Sequence, residues 1–138
     1  LHFNNYGSGL NNWSNYVLAF VNTATTADKA PSADNYSGYA EYGVVRADAF
    51  GWGFPADPVF EFTWAEDWSN FLTIMMDADV TLTVTRNGSD VAIDGVILDK
   101  DGNEYSYKVS AGTTAAAADP MYVLLTSEAS YIELLSVE

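Results

Sequence analysis

The sequence has no cysteine. That excludes a disulfide framework, a thiolate metal site and a cysteine nucleophile. It has a single histidine, His2. One imidazole cannot build a His metal cluster, and a residue so near the N-terminus is expected to be solvent-exposed and outside any acid–base machinery. Lys and Arg total only 5 against 19 Asp and Glu, a formal net charge of -14. Phosphate binding needs cations to displace counterions, so nucleic acid is excluded as a partner. An anionic membrane surface is disfavoured for the same reason. No apolar run approaches the ~18 residues that a membrane-spanning helix needs. The chain also opens Leu1-His2-Phe3, without an initiator Met, and reads as one module of a larger protein.

What is present is enough for one folded domain, residues 1–138. A chain of 138 residues with 49% hydrophobic side chains is neither disordered nor too small to bury a core. The dominant period is two. Val80, Leu82 and Val84 alternate with Thr81, Thr83 and Thr85, the pattern of a half-buried antiparallel strand. Asn87-Gly88 follows, which suits a type I′ turn. Val91 to Leu98 is again strand-like and reverses at Asp101-Gly102, and Tyr105, Tyr107 and Val109 then alternate with Ser106 and Lys108. These three runs predict a β-meander. Tyr16 to Asn22, Tyr39 to Arg46, Val59 to Trp64, Trp68 to Met75, Met121 to Thr126 and Tyr131 to Val137 extend the prediction to about nine strands, with no helix of useful length. Ala111 to Asp119 is expected to be a loop, because Gly112 and Pro120 flank its Ala-rich stretch. Thr23 to Ser37 is a long polar loop, a type that is more often functional than idle. The expected fold is all-β, a two-sheet antiparallel β-sandwich of jelly-roll type.

Three blocks of the sequence mix flat rings with short polar groups. The first is Asn11-Asn12-Trp13-Ser14-Asn15-Tyr16. The second joins Tyr36, Tyr39 and Tyr42 to Arg46-Ala47-Asp48-Ala49-Phe50-Gly51-Trp52-Gly53-Phe54. The third is Trp64-Ala65-Glu66-Asp67-Trp68-Ser69-Asn70. Sugars need that mixture: the C–H face of a pyranose stacks on a ring, and its hydroxyls take hydrogen bonds from amides, carboxylates and guanidinium groups. The candidate stacking residues are Trp52, Trp13 and Trp68. Trp64 ends the alternating run Phe60, Phe62, Trp64 and is expected in the core. Arg46, Asp48, Asn12, Asn70 and Tyr39 are the candidate polar partners. Arg46 either pairs with Asp48 as a structural ion pair or donates to a sugar.

Two chemical alternatives can be weighed from spacing. Glu61 and Glu66 stand five apart, but i and i+5 point to opposite faces of a regular strand, whereas a retaining glycosidase pair must lie about 5–5.5 Å apart. Asp99-Lys100-Asp101-Gly102-Asn103-Glu104 has the look of a calcium loop, yet its Gly and its twelfth residue, Ser110, are out of place, and a hairpin turn accounts for it. The acidic residues still leave room for a structural calcium.

The stretches Asn12-Trp13-Ser14-Asn15-Tyr16-Val17, Val45 to Gly53 and the Val80-to-Tyr107 meander together resemble concanavalin-like jelly-roll carbohydrate-binding modules. Such modules occur in secreted polysaccharide-degrading enzymes and surface glycan-binding proteins of Bacteroidetes. The resemblance implies a non-catalytic, extracellular or cell-surface module that binds a polysaccharide and has no cofactor. Hydrolases of that fold carry Glu-x-Asp-x-x-Glu, and here Thr63 stands in the middle position. The competing expectations are a structural or adhesive module of a surface protein and a glycoside hydrolase of the same fold.

Overall fold

Alternating burial along the strands decides the architecture. The computed structural model describes residues 1–22, 41–64 and 67–138. Among these, the chain runs through β1 (His2–Tyr6), β2 (Tyr16–Val21), β3 (Glu41–Arg46), β4 (Phe50–Trp52), β5 (Val59–Phe62), α1 (Trp68–Met75), β6 (Ala78–Asn87), β7 (Asp90–Leu98), β8 (Glu104–Gly112), β9 (Tyr122–Ser127) and β10 (Tyr131–Ser136). The strands form two antiparallel sheets. One has six strands in the order β10-β1-β6-β7-β8-β5, the other four in the order β4-β3-β2-β9. The expected all-β, two-sheet antiparallel sandwich is therefore the observed fold. Within the larger sheet, β6, β7 and β8 are joined by hairpins, and β5 connects to β6 through α1 yet pairs with β8. That is a Greek key, the unit from which jelly-roll order is built.

The core lies between the sheets. Phe3, Val80, Leu82, Ile93, Ile97, Tyr107 and Val109 reach inward from the six-stranded sheet, and Leu18, Phe20 and Val45 meet them from the four-stranded one. A smaller buried cluster of Val17, Ala19, Val21 and Val44, with Leu124 against it, occupies the other face of the four-stranded sheet. β2 is thus buried on both faces, which explains why Tyr16–Val21 is continuously apolar instead of alternating.

The structure revises several expectations. Trp68–Met75 is a helix, not a strand. Asp67 caps it by accepting from the Asn70 backbone N–H at 3.0 Å, and Phe71, Ile74 and Met75 point inward at i, i+3 and i+4 spacing. The run reads as a strand because Trp, Phe, Thr and Ile favour sheets, but a cap followed by 3.6 periodicity outweighs that weak preference. β1 and β4 were not expected. His2 is not a loose end: it is a rung of β1, and its Nε2 lies 2.9 Å from both carboxylate oxygens of Asp79. The β6–β7 turn is centred one residue later than Asn87-Gly88. Asn87 pairs with Asp90, Gly88 takes φ +64, and Ser89 completes the two-residue loop, the pattern of a type II′ turn. The expected loop starts later than Ala111: Ala111 and Gly112 still belong to β8, paired with Val91 and Asp90, and residues 113–121 carry no strand or helix. Arg86 gathers its carbonyls, donating to Asp119 O at 2.6 Å and to Ala116 O at 2.9 Å.

One buried side chain ties the end of the sandwich together. Asn5 is fully buried. Its Nδ2 donates to Met75 O at 2.8 Å and to Asn15 Oδ1 at 3.0 Å, and its Oδ1 accepts from Tyr16 N at 2.9 Å. A single amide thereby joins β1, the start of β2 and the end of α1. Gly7 N–H also donates to Met75 O at 2.9 Å, and a Cβ at Gly7 would overlap Asn15 Oδ1. Replacing Asn5 by Ala strands two buried polar groups, Asn15 Oδ1 and the Tyr16 N–H, each costing about 1–3 kcal/mol, while Met75 O keeps the Gly7 donor. We expect Asn5→Ala to lose roughly 3 kcal/mol or more in urea unfolding, whereas Asn4→Ala, on the solvent side of the same strand, should lose less than about 1 kcal/mol.

Candidate functional site

Arg46, Asp48, Phe50 and Trp52 of the second sequence block converge on the β3–β4 hairpin. Arg46 pairs with Phe50, so the loop is Ala47-Asp48-Ala49. A three-residue hairpin of this kind closes through a left-handed residue, a place where Gly is usual. Here Ala49 occupies it, with φ +58. β4 is an edge strand, and its alternation sends Phe50 and Trp52 to the same side, beside Arg46 and Val44 on β3.

Each polar member of the hairpin has a partner. Arg46 Nε donates to Asp48 Oδ1 at 2.9 Å and Nη2 donates to Oδ2 at 2.6 Å. The guanidinium carbon sits 4.9 Å from the Phe50 centroid, within cation–π range. Phe50 and Trp52 follow with centroids 6.0 Å apart and planes at 41°. From the core, Tyr107 Oη donates to Arg46 O at 2.8 Å. Burial, with the neighbouring Tyr16 and Asp48, pushes the Tyr107 phenol well above its ordinary range, so it remains a neutral donor. Beyond Trp52, Gly53 turns the chain with φ +80, and Phe54 packs back onto Phe20 at 6.4 Å. The result is a braced pair of rings: Trp52 is 42% and Phe50 53% exposed.

Of the two readings of Arg46, the ion pair with Asp48 is the one the structure contains. Its fork is oriented by Asp48 and sits over the Phe50 ring, so it stiffens the ring platform. Phe50 was not among the expected site residues. The signal for it was the spacing Phe50-Gly51-Trp52, which puts two rings on one face of a strand.

The other candidates lie elsewhere. Trp13 is 45% exposed in a turn closed by Ser14 N to Asn11 O at 3.1 Å. The carbonyl of Asn12 accepts from Asn15 Nδ2 at 2.9 Å. Trp68 begins α1, 37% exposed, and leans on Phe62 and Phe71 with centroids 6.3 Å and 5.6 Å away. Asn70 follows it on the first turn. No ring contact joins Trp13, Trp52 and Trp68 among the described residues. Trp64 is in the core as expected, stacked on Phe62 at 4.5 Å. Tyr36, Tyr39, Glu66 and the Thr23-to-Ser37 loop lie outside the described residues.

Glu61 is exposed on the outward face of β5, and its rung partner is Lys108. The Asp99 loop is built as a turn. Asp99 Oδ1 accepts from the backbone N–H groups of Asp101 and Asn103 at 2.9 Å each, and Oδ2 accepts from Asn103 Nδ2 at 2.9 Å. Among the described residues, no three carboxylate or imidazole groups converge as a metal site. Compared with family models, curated proteins and solved structures, the chain matches none.

Two predictions follow from these turns. Left-handed backbone costs a non-Gly residue about 1–2 kcal/mol, partly offset by the greater freedom Gly has when unfolded. Ala49→Gly should therefore raise stability by about 0.5–1 kcal/mol in chemical denaturation; a loss would mean that Ala49 makes packing contacts that outweigh its strain. The Asn103 amide, followed by the two backbone donors, holds the Asp99 carboxyl below the ordinary carboxylate range. A depressed pKa contributes stability that is present above the unfolded value and disappears as pH falls through the folded one. In acid titrations of thermal stability, Asp99→Asn should remove that part of the decline and leave a flatter acid limb.

Proposed function

We propose that this protein is a non-catalytic module that binds polysaccharide, with Phe50 and Trp52 as the stacking surface. The observation that carries this reading is the braced hairpin. Two large rings stay bare at a sheet edge although a core is available, and three separate devices (the Arg46–Asp48 fork, the Tyr107 hydroxyl and the Gly53 turn) hold them there. An ordered ring costs little entropy to bind, which is what a shallow, wet sugar site requires. The C–H face of a pyranose would lie on Trp52, with the edge-strand backbone of β4 near its hydroxyls. Trp13, with Asn12, and Trp68, with Asn70, would act as separate lesser contacts for a long polymer and not as one pocket.

A net charge of -14 favours neutral glycans over sulfated ones, because like charges repel at low salt. Weak binding at one shallow site becomes useful when the module is tethered to an enzyme or to a cell surface, which raises the effective concentration of glycan. An extracellular or surface setting suits this role. A module that is adhesive or structural toward other proteins is the alternative.

The test is native electrophoresis in gels containing laminarin, xyloglucan or a sulfated galactan. Retardation is expected with a neutral polymer, and Trp52→Ala should weaken it by about tenfold, the equivalent of ~1.4 kcal/mol. Tryptophan emission of the wild type should be red-shifted and should respond to the same polymer. Retardation by the sulfated polymer alone, or release of reducing ends from any of them, would overturn the proposal.

A further inference from the structure

The outward face of the six-stranded sheet is made mainly of short polar side chains, among them Thr81, Thr83, Thr85, Ser106 and Ser110. Among the described residues its phenol rings are Tyr6 and Tyr131, and they are neighbours. They form one rung of the β1–β10 ladder, with centroids 5.6 Å apart and planes at 31°. Tyr131 is 63% exposed. Two rungs along, on the same face, Asn4 faces Glu133. Asn4 Nδ2 and Tyr6 Oη both donate to Glu133 Oε2, each at 3.2 Å. Oε1 of Glu133 has no donor among the described residues.

We infer that Tyr6, Tyr131, Asn4 and Glu133 form a second glycan-binding platform that takes a neutral pyranose, on a different sheet from the Phe50–Trp52 hairpin. This rests on the reading of the protein as a glycan-binding module. The chemistry is that of a sugar site. Two adjacent rings, one of them largely exposed, offer an apolar surface to the C–H face of a pyranose. An ionised carboxylate accepts hydroxyl donors strongly, and this one is already fixed by two neutral donors with its second oxygen available. Cross-strand pairing on a sheet sets the spacing before any ligand arrives, so little order remains to be imposed on binding. Asp77 and Glu133 both act on the Tyr6 hydroxyl, so the local field is negative and an acidic sugar is disfavoured. Two platforms on separate surfaces would let one module engage two stretches of polymer, which multiplies retention without any new contact.

Tyr131 and Glu133 are exposed on an edge strand, so Tyr131→Ala and Glu133→Gln leave the core intact. The experiment places wild type, Phe50→Ala/Trp52→Ala, Tyr131→Ala, Glu133→Gln and the triple ring variant in gels containing laminarin or xyloglucan. The hairpin double variant should keep part of its retardation, and adding Tyr131→Ala should abolish it. Tyr131→Ala and Glu133→Gln alone should each weaken the interaction about three- to tenfold while the Trp52 emission response persists. If the hairpin variant loses all retardation and Tyr131→Ala behaves as wild type, the second platform is overturned and the hairpin reading stands. Loss with Tyr131→Ala alone, and none in the hairpin variant, would uphold the second platform and overturn the hairpin. A wild type retarded by neither polymer would overturn both.

Discussion

The amide of Asn5 is the interaction on which the arrangement of the sandwich turns. A polar side chain in full burial is a liability unless each of its groups is matched, and here the three contacts fall on two distant segments of chain, the end of α1 and the Asn15-Tyr16 entry to β2. It sets the end of α1 against β1 and the beginning of β2 against both. Because β1 lies between β10 and β6, the fixed strand determines which side chains face water on that part of the six-stranded sheet. Because β2 leads the four-stranded sheet, the same amide positions the surface against which β3 and β4 are laid. Apolar burial supplies most of the favourable energy, but it is non-directional. The directional element is this hydrogen-bonded knot.

A second layer of specification carries the core outward to the hairpin. The Tyr107 ring belongs to the aromatic interior, packing on Trp64 at 5.8 Å and on Tyr16 at 6.4 Å. Its hydroxyl leaves that interior to hold the carbonyl of Arg46. Arg46 in turn is fixed by Asp48 and covers Phe50. The exposed rings are therefore linked to buried ones through a short chain of contacts, which is how a rigid scaffold presents a surface group without burying it.

Much of this was legible in the sequence. The Thr-alternating run of β6 and the strands after it declared their faces directly, since a period of two with one buried side admits only one register. β2 declared itself as buried throughout. The helix α1 was misread because its residues favour strands one by one, although Trp68, Phe71, Leu72 and Met75 already follow helical spacing behind a capping Asp. β1 was missed because Asn4 and Asn5 look like loop residues; only the partners of Asn5, distant in sequence, reveal why an amide belongs there. Single rings with outward exposure were anticipated at Trp13, Trp52 and Trp68. Their separation, and the pairing of Tyr6 with Tyr131 across 124 intervening positions, depend on strand order, which local patterns do not encode.

The adjacency of β1 and β10 has a mechanical consequence. His2 faces Ser136 across one rung, so the two ends of the chain emerge at the same corner of one sheet. Tension applied between them runs along the inter-strand hydrogen bonds and loads those bonds one at a time, starting at that corner. The outermost strand would peel away before the interior yields, and with it would go Tyr131 and Glu133. A sandwich pulled this way resists far less than one whose end strands slide past each other in shear.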